Sequence, residues 1–408
     1  MNPDSYTLTS SEISRQSSDG PQVDVLWLVL VWCREEPHRI GERMAVPADT
    51  TGIFGRGAGA VREGRRLFLQ QLRPGAPQPT APLHVRRISR QQWTLRTNGQ
   101  TVQIDNVGRC RLRHNGQPVE HATVSPGDLV EIVGEMLFLC EVGPVLLPSL
   151  PSDIPMQPFG EPDPLGLVGE SAVMWMLRRE LYFLGPREAH VLIRGESGTG
   201  KELVAQGLHQ LSARAARPMI SRNAATLPEG IIDAELFGNL RNYPNPGTPE
   251  RPGLIGAASG STLFLDEFAE MPERLQSHLL RVLDAGEYQR LGESRVRTAD
   301  LRLIAATNRP LSRFKHDVLA RLTLRLEIPG LDRRRSDVPL LARFLMSNIA
   351  ATDAAIRSQF CEGGAARFSV RFIEQLVTYP YKTHVRELTA LLWRSLMASS
   401  GATLDAVR

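Results

Sequence analysis

Residues 190–211 read HVLIRGESGTGKELVAQGLHQL, and the rest of the chain is best understood from this stretch. HVLIR predicts a buried strand, and KELVAQGLHQLSARA predicts an amphipathic helix. Between them stands G-x-x-x-x-G-K, whose glycines permit a tight loop with backbone N–H groups around phosphate oxygens. The order strand, loop, helix therefore predicts a phosphate-binding loop. Its residues are Gly195, Glu196, Ser197, Gly198, Thr199, Gly200, Lys201 and Glu202.

Two later apolar runs, STLFLDE and LRLIAATN, predict further strands of the same sheet. Ligands of parallel sheets lie at the carboxyl ends of the strands, where these runs place Asp266, Glu267 and Asn308. We expect Lys201 to neutralise the β- and γ-phosphates, Asp266 to hold Mg²⁺ and Glu267 to polarise the attacking water. Asn308 is expected to hydrogen-bond the γ-phosphate or the water. Since Glu202 stands where a hydroxyl usually contacts Mg²⁺, the metal depends more on Asp266.

Composition limits the class of protein. The chain has 408 residues, of which 42% are hydrophobic and 23% charged, close to the average of globular proteins. These values exclude a wholly disordered, collagen-like or coiled-coil protein. The longest apolar run, at residues 25–33, is too short to span a bilayer, and the four cysteines lack metal-ligand spacing. A cytoplasmic protein with no membrane association is expected.

The pattern divides the chain into five parts and predicts a multidomain fold. Residues 1–22 predict a disordered tail, and 23–142 predict an all-β sandwich with hairpins at Asn98-Gly99 and Asn115-Gly116. Residues 143–164 hold seven prolines and predict a stiff, extended linker. In 165–335, strands alternate with helices, which predicts an α/β domain with a parallel sheet. Residues 336–408 predict a small helical lid.

Six motifs, in order, resemble the AAA+ ATPase domain of sigma-54-dependent transcription activators over residues 165–395. They are GESGTGKELVA, ELFG, RPGLIGAASGSTLFLDE, LQSHLLRVLDAGEYQRLG, LRLIAATNR and HVREL. The family usually has Glu after the loop lysine, as here. The resemblance implies ATP and Mg²⁺ as cofactors and ATP hydrolysis as the activity. It also implies that Asn223 restrains Glu267 until the γ-phosphate and target are engaged, and that Asn308 is the sensor I residue.

The same resemblance implies a ring, typically a hexamer, with nucleotide at the subunit interfaces. Arg321 matches an arginine finger that reaches a neighbouring subunit, and Lys315 stands at the other finger position. Lysine keeps the charge of that position but loses the bidentate fork of arginine. Arg386 in HVREL matches the sensor II residue. The alternative for Arg321 and Arg386 is a surface ion pair.

Two departures concern the family's targets. Residues 239–250, NLRNYPNPGTPE, replace the GAFTGA loop that contacts sigma-54, and three prolines predict a stiffer loop in which Tyr243 could contact a partner. This argues against conventional remodelling of sigma-54 RNA polymerase and leaves sigma-54 an open partner. About a dozen residues follow the region of the HVREL helix. We therefore expect no helix-turn-helix domain and no sequence-specific DNA binding.

Residues 45–142 resemble a forkhead-associated (FHA) domain, a β-sandwich that binds phosphothreonine peptides. The resemblance rests on GRG at 55–57, ISR at 88–90, Asn106 and Asn115-Gly116. Arg56 and Ser89 could hold phosphate oxygens, Arg90 lies in the same loop, and Asn106 could bind the peptide backbone. Residues 56–113 contain twelve arginines but only two acids, and such an excess of positive charge attracts anions. Gln92 replaces the usual histidine, so a domain used only for protein contacts remains an alternative.

Three functions remain open at this point. The first is a regulator whose sandwich senses a phosphorylated partner and whose ATPase ring controls transcription. The second is an adaptor that binds nucleotide to assemble and recruits phosphoproteins without remodelling RNA polymerase. The third is an inhibitor that forms mixed rings with true activators.

Overall fold

The computed structural model describes residues 24–48, 50–59, 61, 63–151, 154–227 and 231–407. The predicted tail at 1–22 lies outside the described residues. The chain forms two compact units, divided within one helix after Met176. We call Leu177–Gly330 the α/β unit, and residues 24–176 together with 331–407 the β-rich unit.

The strands, in chain order, are β1 (Asp24–Cys33), β2 (Arg43–Ala45), β3 (Gly52–Phe54), β4 (Arg65–Arg66), β5 (Gln70–Gln71), β6 (Gln78–Pro79), β7 (Trp93–Thr97), β8 (Val102–Asn106), β9 (Leu112–His114), β10 (Gln117–Val119), β11 (His121–Val124), β12 (Leu129–Ile132), β13 (Met136–Pro144), β14 (Val191–Arg194), β15 (Ile220–Asn223), β16 (Thr262–Asp266), β17 (Glu287–Tyr288), β18 (Arg297–Thr298), β19 (Arg302–Thr307), β20 (Leu324–Glu327), β21 (Cys361–Glu362) and β22 (Ala365–Ala366). The helices are α1 (Ala172–Leu184), α2 (Lys201–Gln210), α3 (Ile232–Phe237), α4 (Gly253–Ala257), α5 (Glu273–Ala285), α6 (His316–Arg321), α7 (Val338–Thr352), α8 (Ala354–Phe360), α9 (Val370–Thr378) and α10 (His384–Ala398).

Two sheets face each other in the β-rich unit, with strand orders β10-β9-β12-β13-β1-β2-β5-β6 and β11-β8-β7-β3-β4. Their inner faces meet in one core, where Phe54, Trp93 and Phe138 lie with ring centroids 5.5–5.8 Å apart. The predicted sandwich is thus observed as two packed sheets. Both Asn-Gly hairpins are confirmed, at the β7–β8 and β9–β10 turns.

The second face of the larger sheet is also buried, against the C-terminal helices. Val31 of β1 and Leu139 of β13 share a core with residues of α7, α9 and α10. This explains why β1 is apolar at almost every position and does not alternate. Polar contacts join the same parts of the unit. The Trp32 indole donates to the Phe368 carbonyl at 2.8 Å, and the Ser336 hydroxyl donates to Glu141 at 2.9 Å.

The proline-rich segment is packed against its own unit, which differs from the predicted extended linker. β13 continues to Pro144, and Leu147 and Ile154 are buried. Asp163 is also buried and accepts the backbone N–H groups of Leu165 and Leu167 at 2.9 Å. Apolar residues between the prolines therefore hold the segment on the domain surface.

The α/β unit contains a parallel sheet of order β15-β16-β19-β14-β20. Strands β14, β16 and β19 and helices α2 and α5 were predicted from the sequence and are confirmed. The sequence pattern did not predict the two edge strands, β15 and β20. In α5, Leu275, Leu279 and Val282 form the buried face, and Gly286, at φ 70°, ends the helix. This sheet brings the ends of β14, β15, β16 and β19 to one edge.

Among the described residues, no helix is long and apolar enough to cross a membrane.

Candidate functional site

The loop at 195–200 connects β14 to α2 at the carboxyl edge of the parallel sheet. Gly198 and Gly200 adopt left-handed backbone conformations, with φ of 80° and 101°, which favour glycine. A Cβ at Gly195 would come within 2.7 Å of the Thr199 hydroxyl, which itself donates to the Glu196 carbonyl at 2.8 Å. The loop is thus a compact turn that ends at the first turn of a ten-residue helix, where backbone N–H groups favour anions.

Lys201 is the buried cation of this edge. Its side chain is 7% exposed, and Nζ donates to the carbonyls of Gly195 at 3.2 Å and Glu196 at 3.4 Å. The same Nζ lies 3.9 Å from the carboxylate of Glu267. The structure therefore brings together the loop lysine and the acid that lie 66 positions apart in the sequence.

Asp266 ends β16, and Glu267 follows in a conformation that is unusual for a residue with a side chain. Its φ of 49° and ψ of 39° lie in the left-handed region, which costs energy in a non-glycine residue. The Glu267 N–H donates to Asp266 Oδ1 at 2.9 Å, and the Asn308 backbone lies near enough to the Glu267 carboxylate to lower its pKa. Burial raises the pKa of Glu267 above its ordinary value, and the charge of Lys201 opposes that rise only in part.

The two predicted asparagines lie at neighbouring strand ends. Asn223 ends β15 directly opposite Asp266 in the sheet register, and its side-chain oxygen accepts the Ala225 N–H at 2.9 Å. Asn308 follows β19 and has an exposed side chain. Asn223 is thus placed beside the acids, but its recorded hydrogen bond caps the following turn and does not reach Glu267.

These groups fit a nucleoside triphosphate with Mg²⁺. The glycine-rich turn and the helix start suit phosphate oxygens, and Lys201 supplies a positive charge. Asp266 supplies a carboxylate whose Oδ2 makes no hydrogen bond within the described part of the chain. Glu202 is exposed on α2, which agrees with a metal site that depends on Asp266.

Both predicted finger positions contact α5 of their own chain. Lys315 Nζ donates to the Ser277 hydroxyl at 2.7 Å, and the Arg321 guanidinium forms an ion pair with Asp284. Ser277 and Asp284 lie seven positions apart, so both contacts fall on one face of the helix. In the single chain, Arg321 thus forms a surface ion pair, which was the alternative to a role as an arginine finger. Arg386 is exposed in the first turn of α10, within the β-rich unit.

The loop at 239–250 is tied to its own unit. Asn239 is 1% exposed, and its amide donates to the carbonyls of Leu240, Tyr243 and Pro249 at 2.9, 3.3 and 2.8 Å. The Tyr243 ring lies so close to Gly292 that a Cβ there would come within 2.6 Å of it. The Leu240 N–H donates to the Leu291 carbonyl at 3.1 Å, and Arg290 pairs with Glu250 at 2.6 Å. These contacts hold the loop against the segment between β17 and β18, while Tyr243 keeps 43% of its surface exposed.

A second group of predicted residues meets at one end of the two-sheet domain. The Arg56 N–H donates to the Ser89 carbonyl at 3.1 Å, and a Cβ at Gly55 would lie 2.5 Å from the carbonyl oxygens of Ser89 and Arg90. The Ser89 hydroxyl accepts the Arg109 N–H at 2.9 Å. Arg56 Nε is buried and has no hydrogen-bond partner among the described residues. Arginine side chains, the Ser89 hydroxyl and the unpartnered Nε donor of Arg56 therefore lie together at this end of the domain.

Gln92 organises these loops, a role that the sequence did not reveal. It is fully buried, and its side chain donates to Asn106 Oδ1 and to the Cys110 carbonyl, each at 2.8 Å. It also accepts the Ser89 N–H at 3.2 Å. Asn106 in turn donates to the Cys110 carbonyl at 3.0 Å, so its side chain braces the loop. The only available signal was the departure from the family's histidine at position 92.

Comparisons with known proteins concern the α/β unit above all. Residues 167–328 match the Sigma-54 interaction domain model. The transcriptional regulatory protein ZraR of Escherichia coli (strain K12) is 37% identical over 243 residues, which cover 58% of this chain and 53% of that protein. The nitric oxide reductase transcription regulator NorR2 of Cupriavidus necator is 41% identical over 239 residues, covering 57% and 44%. The chain thus spans about half the length of the curated relatives it matches.

The fold has a similar neighbour among solved structures. The crystal structure of NtrX from Brucella abortus in complex with ADP has a TM-score of 0.52 at 29% identity, covering 59% of this chain and 54% of that one. The family match confirms the sequence resemblance at the level of this domain. Residues 167–328 are therefore similar, in sequence and in fold, to the Sigma-54 interaction domain of known transcription regulators.

Proposed function

We propose that this protein is an ATP-hydrolysing regulator of transcription that works as a ring. The observation that carries the proposal is the approach of Lys201 Nζ to the Glu267 carboxylate, 3.9 Å apart beside a glycine-rich turn. A cation that binds phosphate and a carboxylate that orients water are two of the groups that recur in enzymes of phosphoryl transfer to water.

Each residue has a defined part in this proposal. Lys201 and the loop N–H groups bind the phosphates, and Asp266 holds Mg²⁺, which supplies charge neutralisation when bound. Glu267 accepts a proton from water, and its strained backbone keeps the carboxylate beside Asp266 and the Asn308 backbone. Asn223 and Asn308 sense the nucleotide. Arg321 leaves Asp284 and acts on a neighbouring subunit's nucleotide, and Lys315 is the second finger residue. Arg386, which belongs to the β-rich unit, is the sensor II residue for the nucleotide.

Steady-state ATPase assays at several protein concentrations test this activity. Lys201→Ala is expected to lose nucleotide binding, and Glu267→Gln to keep binding but lose turnover. Glu270→Gln, a nearby acid paired with Arg309 at 2.6 Å, serves as the matched control and is expected to keep turnover. Turnover by Glu267→Gln at the wild-type rate would contradict the assignment.

We propose further that the two-sheet domain binds a phosphorylated peptide in the manner of an FHA domain. The support is the unpartnered Arg56 Nε beside the Ser89 loop and Arg90. A phosphothreonine peptide library, with unphosphorylated peptides alongside, measures this directly. Arg56→Ala is expected to abolish binding, whereas Arg96→Ala, an exposed arginine of β7, is expected to keep it. Equal binding by both variants would exclude the site.

A second candidate function is a nucleotide-dependent adaptor that recruits phosphoproteins without remodelling RNA polymerase. The observation that favours it is the loop at 239–250, which Asn239 closes on itself through three hydrogen bonds and which Arg290 pairs with at Glu250. Trapping with ADP–aluminium fluoride and sigma-54 separates the two candidates. A complex that co-migrates with sigma-54 supports an activator, and ATPase activity without a complex supports another client or the adaptor.

A further inference from the structure

Two cavities share three lining residues inside the β-rich unit, where the segment after β1 meets the C-terminal helices. Their volumes are about 570 Å³ and about 430 Å³. Arg343 of α7 lines both, together with Ala365 and Ala366 of the β21–β22 hairpin. Each volume lies in the range of sites that hold small organic molecules.

The larger cavity has an apolar wall. Trp32, Ile40, Pro339, Phe368 and Ile373 line it. The hydrogen bond from the Trp32 indole to the Phe368 carbonyl, 2.8 Å long, fixes the ring in place. A hydrocarbon or aromatic group would therefore find a preformed surface here, contributed by both the sheet side and the helix side of the unit.

Arg343 brings a charge into this apolar setting, and Glu161, which partly offsets that charge, lines the smaller cavity. Arg343 Nη1 donates to the Pro37 carbonyl at 2.5 Å, and no carboxylate of the described residues lies within 4.0 Å of its guanidinium. Burial lowers the pKa of Arg343, and the more distant charge of Glu161 opposes this only in part. An incompletely solvated cation is costly unless an anion pairs with it.

Two acids, Glu35 and Glu362, line the larger cavity together with the three arginines 34, 343 and 367. Glu35 accepts the Arg86 backbone N–H at 3.2 Å, and Glu362 lies 3.7 Å from Arg367. Arg367 also has a buried Nε that lacks a hydrogen-bond partner among the described residues. The lining thus offers donors and positive charge beside the apolar wall, and the partner that fits both is an anion with an apolar body.

We propose that these cavities bind a small amphipathic carboxylate, whose acid group pairs with Arg343 and whose hydrocarbon body lies on the apolar wall. The planar guanidinium matches a carboxylate through two parallel hydrogen bonds. This site is separate from the nucleotide loop and from the Arg56 and Ser89 loops, and it does not depend on either proposed function. Its ligand contacts both the sheet side and the helix side of the β-rich unit.

Calorimetric titration of the full chain with octanoate, and with 1-octanol as the uncharged analogue, tests the proposal. Octanoate is expected to bind at one site per chain, at least tenfold more tightly than octanol, since a charged hydrogen bond contributes about this much or more. Arg343→Met is expected to remove the preference for octanoate, and Arg343→Lys to retain part of it. Arg371→Met changes an exposed arginine of α9 outside the cavities and is expected to leave binding unchanged.

A second variant covers the case in which Arg343→Met does not fold. Ala366→Trp places a large side chain on the wall common to both cavities and is expected to block both ligands while α7 stays intact. The proposal is overturned if octanoate does not bind at millimolar concentration, or if octanol binds equally well. It is also overturned if octanoate binds Ala366→Trp as it binds the wild type.

Discussion

The hydrogen-bond network around Gln92 can be tested by replacing glutamine with leucine at two adjacent positions, 91 and 92. Gln92 is fully buried and its side chain makes three hydrogen bonds, to Ser89, Asn106 and Cys110, whereas Gln91 is exposed. Leucine is similar in volume to glutamine but makes no hydrogen bond. At about 1 kcal/mol for each net hydrogen bond, Gln92→Leu should lower the free energy of unfolding of the β-rich unit by about 3 kcal/mol. Gln91→Leu should change it by less than about 0.5 kcal/mol.

Tryptophan fluorescence is a selective assay for this prediction. All five tryptophans (27, 32, 93, 175 and 393) belong to the β-rich unit, so the α/β unit does not contribute. For a unit of this size, 3 kcal/mol corresponds to a fall in Tm of about 6–12 °C. Phosphopeptide affinity should fall as well, because the Ser89 loop loses its brace while Arg56 is untouched. Equal Tm values for the two variants would refute the hydrogen-bond network on which the argument rests.

Three further predictions concern the α/β unit. Arg321→Ala should lower kcat about 10³-fold while nucleotide affinity is retained. Mixing with Lys201→Ala subunits should restore part of the activity, because those subunits still supply Arg321 to their neighbours. If no activity is restored, Arg321 does not act on a neighbouring subunit. Because burial raises the pKa of Glu267, kcat should fall as pH decreases through a pKa above the ordinary value of a glutamate, and a kcat that does not fall at low pH would contradict a general-base role. Asn239→Ala removes the donor to three carbonyls and should speed amide hydrogen exchange in residues 240–250. Asn245→Ala changes an exposed asparagine of the same loop and should leave the exchange rates unchanged. Equal exchange in both variants would show that Asn239 does not hold the loop.

Local patterns were sufficient for the strand, loop and helix around Lys201 and for the placement of Asp266 and Glu267 at the same edge of the sheet. The reason is that G-x-x-x-x-G-K prescribes backbone geometry, and parallel strands place their carboxyl ends at one edge. The hairpins at Asn98-Gly99 and Asn115-Gly116 were predictable for the same reason, since the second residue of each turn has a positive φ that glycine adopts readily. In these places the chemistry is local, and a short stretch of sequence contains it.

Other features depend on partners that lie far away in the chain. The uninterrupted apolar run of β1 fits any strand buried on both faces, and only the fold shows that the C-terminal helices cover its second face. Gln92 stands alone in the sequence, but the fold brings it three hydrogen-bond partners, one from the preceding loop and two from the end of β8 and the connection after it. Likewise, Arg343 resembles any helix-surface arginine until the fold brings Pro37 and the β21–β22 hairpin to the same cavity. Burial and hydrogen bonding are properties of the surroundings of a residue, and those surroundings exist only once distant segments have packed together.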